Sequence, residues 1–352
     1  MKITLNEEQS ILAQSVARFV DDRRDAVSWR PADRGLDPEI WREVAALGWL
    51  GAGVGEAAGG FGGGRAMSVV MEGAGAGIRY AEPLSQVFVA LAILESADAE
   101  NPYLSEILSG EAFACGLIAD MGTGIEAIGS GDDCRISGAF KAVPYFEQVD
   151  HLVLALPDLI CVLDAQAAGI DTQTYPALDG ATRADLSLDN VQVKSVAVLA
   201  KGESASVALN RGRVFHAAAV TAEASGLAAK LFEDTLAYVK QRTQFGRPIG
   251  EFQAVQHRLA DMFVALEEIR SLSLATARAA EDGVPADRRL SQAVVGVIDR
   301  ALHIAREAIQ LHGGVGMTED LPMGAGLRRL KVLQLMPAGA QTHRRTLTGR
   351  AT

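Results

Sequence analysis

The chain of 352 residues is 49% hydrophobic and 22% charged, with a formal net charge of −11. That composition excludes a disordered chain and is long enough for two or three domains sharing buried cores. The acidic excess argues against nucleic acid or an anionic membrane surface as principal partner, so an anionic ligand would need local basic residues.

Residues 1–110 carry helical apolar spacing broken by Gly and Pro. The N-terminus, MKITLNEEQS, has no apolar h-region, which predicts no secretory signal and a cytoplasmic location. Asp37-Pro38 before EIWREVAALGWL joins a capping Asp to a Pro at the first helical position, a helix start. GVGEAAGGFGGG reads as a loop, because glycine loses too much conformational freedom in a helix. YAEPLSQVFVALAIL then resumes an apolar helix after Pro83.

In residues 111–202 short apolar runs, AFACGLIA, HLVLAL and LICVLDA, alternate with Gly, Asp and Pro and predict a β domain. Pro157 and Asp158 interrupt the longest apolar stretch, so no membrane span is expected. Cys115, Cys134 and Cys161 all fall here without CxxC spacing; they read as small core residues in a reducing compartment, and no metal site is expected.

Residues 203–352 return to long helices. HAAAVTAEASGLAAKLFEDTLAYVKQR is Ala-rich and suits close packing, and LSQAVVGVIDRALHIAREAIQLH forms another helix. In QAVQHRLADMFVALEEIR, Leu259, Met262, Phe263, Leu266 and Ile269 fall on one helical face. A bundle buries such faces, giving an α+β protein in the order helical, β, helical.

Two motifs carry chemistry. In RTQFG, Gly246 and Pro248 end the helix bearing Lys240 and Arg242, so an arginine stands at a helix end beside a turn. Such an arginine can bind pyrophosphate through paired charge-assisted hydrogen bonds, and Phe245 can pack on a planar ring. Equally, the arginine can complement a helix dipole and the phenylalanine a core. Gln310 with Gly313-Gly314 offers an amide for an adenine edge and a close backbone approach, or a plain helix C-cap.

Taken together, QRTQFGRPIGEFQAVQHRLADM and IQLHGGVGMTEDLP resemble the acyl-CoA dehydrogenase family of flavoenzymes, sharply after about His216 and loosely over nearly the whole chain. The resemblance implies FAD, α,β-dehydrogenation of an acyl-CoA thioester, and an electron-transferring flavoprotein or equivalent acceptor. It assigns FAD contacts to Arg242, Phe245, Gln310, Gly313 and Gly314, largely across a subunit interface.

The chain departs from the family pattern at its other half. The family's base, a Glu about two dozen residues past the glycine pair, falls on Pro337, and the alternative base position falls on His216. Glu223, Glu233 and Asp234 nearby read as solvated helix acids. The flavin-ring motifs, an aromatic–x–x–Thr–Glu strand end and a Trp-Ile-Thr or Trp-Ile-Ser strand, are replaced by CGLIADMGTGIEA and AVPYFEQVDHLVL. Thr123 and Tyr145 are the possible stand-ins, and all three tryptophans, Trp29, Trp41 and Trp49, lie in the first region. The leading expectation is the non-catalytic subunit of a heteromeric enzyme of the kind found in bacterial steroid degradation, paired with a paralogous catalytic subunit. The alternatives are a self-sufficient homo-oligomer with a displaced base, a related flavin monooxygenase, or a cofactor-free scaffold.

Overall fold

Two local signals set the first helices. Asn6 and Gln9 form a reciprocal capping box at the start of α1 (Glu7–Asp22). Asp37 accepts from the Glu39 N–H, and Pro38 opens α2 (Pro38–Ala46) as expected. The computed structural model describes residues 5–23, 37–77, 81–129 and 133–349, so Trp29 lies outside the described residues.

The glycine-dense stretch holds only short 3-10 turns before α3 (Gly64–Ala76) begins. Helix α4 (Ala81–Ala97) starts before Pro83 rather than after it, because proline in a first turn forfeits no intrahelical hydrogen bond. From Ala81 to Leu94 every residue of α4 is buried, the mark of a helix at the centre of a fold. Helix α5 (Pro102–Leu108) closes this region.

Two four-stranded sheets follow. One runs in the order β1 (Ala114–Ile118), β4 (His151–Ala155), β5 (Leu159–Asp164), β8 (Val198–Lys201). The other runs β2 (Gly122–Ile128), β3 (Arg135–Pro144), β7 (Thr182–Gln192), β6 (Ile170–Pro176). The apolar runs read from sequence are β1, β4 and β5, whose residues are almost all buried and so show no alternation. Strands β2 and β6 are mostly exposed edge strands, which is why they carry no apolar signal. The chain leaves the first sheet after β1, returns for β4 and β5, and returns again for β8, so it crosses between the two sheets four times. All three cysteines are buried, and burial pushes the Cys115 and Cys161 thiols well above their ordinary range.

The 39-residue α6 (Glu203–Gln241), roughly 58 Å long at helical rise, is the spine. Helices α7 (Gln253–Glu281), α8 (Arg288–His312), α9 (Met323–Leu335) and α10 (Ala340–Thr348) complete the bundle, α3 and α4 also pack against α6, and α3 touches α7 as well. The α3–α6 crossing is close because it is made by glycines. A Cβ on Gly226 would strike the Glu72 carbonyl, and one on Gly75 the Glu223 carbonyl. On α7, Met262, Leu266 and Ile269 are buried as expected, but Phe263 is 50% exposed. It stands beside the buried stripe and meets Phe232 of α6 at 6.2 Å between ring centres.

Candidate functional site

The RTQFG segment folds as a two-residue hairpin. β9 (Thr243–Gln244) pairs antiparallel with β10 (Arg247–Pro248), leaving Phe245 and Gly246 at the turn with φ of 52° and 83°. Two positive φ values define the turn type that matches strand twist, but a bulky aromatic in the left-handed region costs on the order of 1–2 kcal/mol. Phe245 recovers nothing from burial, being 93% exposed. Strain held without local compensation is a mark of function at that position.

Arg242 caps α6, its N–H donating to the Tyr238 carbonyl and its own carbonyl accepting from the Ile249 N–H, both at 2.8 Å. The exposed guanidinium makes no hydrogen bond or ion pair among the described residues. Beside it, the Arg247 guanidinium lies over the Phe252 ring at 4.3 Å, and Phe252 meets Phe245 edge-on.

The second motif joins the first through a contact that sequence did not reveal. Tyr238, one turn before Arg242, stacks on His312 at 4.3 Å between ring centres, and its hydroxyl donates to the His312 carbonyl at 3.4 Å. His312 ends α8, and Gly313, at φ 65°, turns the chain out of the helix. Gln310, Gly313 and Gly314 are exposed, and a Cβ at either glycine would meet open space. Val315 and Met317 beyond them are exposed as well. The signal was present in the order of the residues, since Tyr238 and His312 flank the two motifs; only their pairing was invisible.

Where a flavin-ring strand would run, Asp185 accepts from the Lys141 ammonium, the Ala142 N–H and the Tyr175 hydroxyl, at 2.8, 3.0 and 2.9 Å. Tyr145 is buried and Thr123 is exposed on an edge strand. Pro337 lies half-buried in the turn between α9 and α10. His216 is 2% exposed, well inside α6. Burial, reinforced by His343 and opposed by Asp120, pushes its imidazole down to about 4.

Glu223 corrects the sequence reading most plainly. It is not solvated but buried, bonding Arg329 through both carboxylate oxygens at 2.5 and 3.0 Å. Arg329 also reaches Asp179 at 3.0 Å and Glu82 at 2.8 Å, while Arg183 reaches Glu82 at 2.6 Å. This lattice ties α4, the β6–β7 turn, β7, α6 and α9 together. Glu233 is exposed as expected, and Asp234 is half-buried against Lys230.

Residues 6–111 match the N-terminal domain of acyl-CoA dehydrogenase, and residues 202–351 match its C-terminal domain. The chain belongs to the acyl-CoA dehydrogenase family. Among members of that family, 2-methylacyl-CoA dehydrogenase of Solanum tuberosum is 33% identical over 171 residues, 49% of this chain and 41% of that protein. The chain thus matches less than half the length of that relative. The 3-(aryl)acrylate reductase of Clostridium sporogenes is 26% identical over 84% of this chain and 85% of its own length. A variant of the Tcur3481–Tcur3483 steroid ACAD superposes with a TM-score of 0.86 at 28% identity, covering 98% of each chain. The ChsE4–ChsE5 complex of Mycobacterium tuberculosis shares the fold, with a TM-score of 0.86 at 24% identity over 99% of this chain and 98% of that one. No helix among the described residues is long and apolar enough to cross a membrane.

Proposed function

We propose that this chain is the non-catalytic subunit of a heteromeric acyl-CoA dehydrogenase, lending one end of its bundle to FAD held chiefly by a paralogous catalytic subunit. The observation that carries this reading is the strained, 93% exposed Phe245 beside an unpaired Arg242, on the face that also presents Gln310, Gly313 and Gly314. A face with unpaired cationic donors, open glycines and exposed apolar side chains suits an anionic, planar group arriving with a second protein surface.

When bound, FAD supplies the hydride acceptor for α,β-dehydrogenation of an acyl-CoA thioester. Arg242 would neutralise pyrophosphate charge, Gln310 would offer its amide to the adenine end, and Gly313 and Gly314 would let the backbone come close. Phe245 covers the group and meets the partner. The α-proton falls to a carboxylate of the partner, because Pro337 has no proton-accepting group and His216 is buried. An electron-transferring flavoprotein or equivalent acceptor would be the redox partner. The likeness to a two-component steroid ACAD supports the heteromeric form and a bulky acyl group.

The test is flavin absorbance, measured on the chain purified alone and after co-expression with a Glu-bearing paralogue from the same organism. The expected result is a colourless preparation alone and a yellow complex with the partner. In that complex, Arg242→Ala lowers FAD affinity about tenfold or more, the worth of a charge-assisted hydrogen bond. A yellow homo-oligomer with about one FAD per chain, or unchanged FAD affinity in the Arg242→Ala complex, overturns the proposal.

A further inference from the structure

We infer that the cavity between β3, β7, α9 and α10 binds an amphipathic carboxylate, through a charge pattern opposite to that of a proton-abstracting site. The cavity has a volume of about 430 Å³, and Pro337 forms part of its wall. That volume lies within the range of about 300–1,000 Å³ typical of small-molecule sites.

Its lining is basic in an acidic protein. Lys141, Arg183, Lys331 and Arg345 contribute, and no Asp or Glu does. Two of these charges are already answered: Lys141 pairs with Asp185, and Arg183 with Glu82. The other two are not. Lys331 donates to the neutral amide of Gln334 at 3.0 Å, and Arg345 is exposed with no ion pair among the described residues. Two uncompensated cations at one mouth attract a single anion and favour it by charge-assisted hydrogen bonding.

The same mouth is apolar. Leu335 and Leu178 border it at 65% and 58% exposed, large side chains left in water beside a basic rim. A ligand that satisfies both features carries a carboxylate on a hydrocarbon body; a bare anion would leave the leucines wet. Backbone strain frames the cavity. Ala142, in its wall, and Ala338, next to Pro337, hold φ of 55° and 54°. Ala142 is fixed there by donating its N–H to Asp185 and accepting from the Arg183 guanidinium. Non-glycine residues in this region persist where surrounding contacts over-determine them, and they cluster at ligand sites.

The site would hold its ligand whether or not FAD is bound at the far end of α6. Isothermal titration calorimetry of the full chain with decanoate, methyl decanoate and inorganic phosphate tests it. Decanoate is expected to bind saturably, with methyl decanoate and phosphate each at least about tenfold weaker. The Lys331→Glu/Arg345→Glu double variant should abolish decanoate binding, while Lys331→Arg/Arg345→Lys should keep it. Arg242→Ala should leave it unchanged, separating this inference from the fate of the FAD reading. Arg345 is exposed and Lys331 half-buried, so an unchanged urea midpoint is the check that the variants fold. Absence of saturable decanoate heat, equal affinity for the neutral ester or for phosphate, or full affinity in the charge-reversed variant overturns the inference.

Discussion

Replacing Arg329 by Met tests whether one buried charge lattice holds the three regions in register. Methionine keeps an apolar stem of similar length and deletes the guanidinium, which is 1% exposed and contacts Glu223, Asp179 and Glu82. After the substitution Glu82 and Asp179 keep Arg183, Glu223 loses both of its bonds to Arg329, and Glu82 Oε2 already lacks a hydrogen-bond partner. Removing one partner of a buried ion pair costs about 3–5 kcal/mol, and here the upper part of that range is expected. The pH dependence makes the test specific. In the native chain burial opposes ionisation of Glu82, but Arg183 and Arg329 outweigh it and hold the carboxyl down to about 2. A depressed carboxyl contributes stability above its unfolded pKa and loses it as pH falls through the folded value. That contribution is worth roughly 3 kcal/mol at neutral pH and is lost between about pH 4.5 and 2. In Arg329→Met the Glu82 carboxyl loses one of the two cations that hold it down, so its folded pKa rises and the destabilisation shrinks between about pH 4.5 and 2. Urea unfolding of both proteins at the two pH values measures this. A loss below about 1 kcal/mol at the higher pH, or an equal loss at both, would refute the lattice as described.

The buried His216 sets an acid limit. Its folded imidazole titrates at about 4 against an ordinary 6.5, so the unfolded chain binds the proton first. Stability is then full above about pH 6.5 and falls toward 4, by roughly 3 kcal/mol from this group. Histidine NMR should show a neutral ring near pH 5.5, and a ring already charged there would contradict the placement. Gly226→Val should lower the unfolding midpoint sharply, at a cost of more than about 3 kcal/mol, because the new Cβ strikes the Glu72 backbone; unchanged thermal melting would disprove the close crossing. Phe245→Gly should leave the isolated chain as stable or up to about 1 kcal/mol more stable, relieving the left-handed φ without losing burial. The same variant should weaken association with the catalytic partner in sedimentation experiments, and an unaffected complex would remove Phe245 from that interface.

Local features were legible because their causes are local. The Asp37-Pro38 start, the glycine loop and the C-terminal glycine of α8 each depend on a few neighbouring residues. Strands buried on both faces announced themselves as apolar runs, whereas β2 and β6 were silent because an edge strand facing water has no apolar pattern to show. Glu223 was misread for a related reason. Nothing in an Ala-rich helix tells which carboxylate will meet an arginine 106 residues later. Phe263 failed by geometry, since a five-residue apolar face is wider than the stripe that α6 and α8 cover.

The residues alone determined the family, the order of helical, β and helical regions, and the absence of a carboxylate at Pro337. These follow from residue type and spacing, which the chain fixes before it folds. Only the tertiary structure decided which side chains are spent inside and which remain free. It closed Glu82, Asp179, Arg183, Glu223 and Arg329 into one interior lattice and brought Tyr238 onto His312. It left Arg242, Phe245 and Arg345 facing outward. Burial and long-range pairing depend on where distant segments pack, and that is set by the whole chain's balance of apolar burial against the cost of desolvating charge.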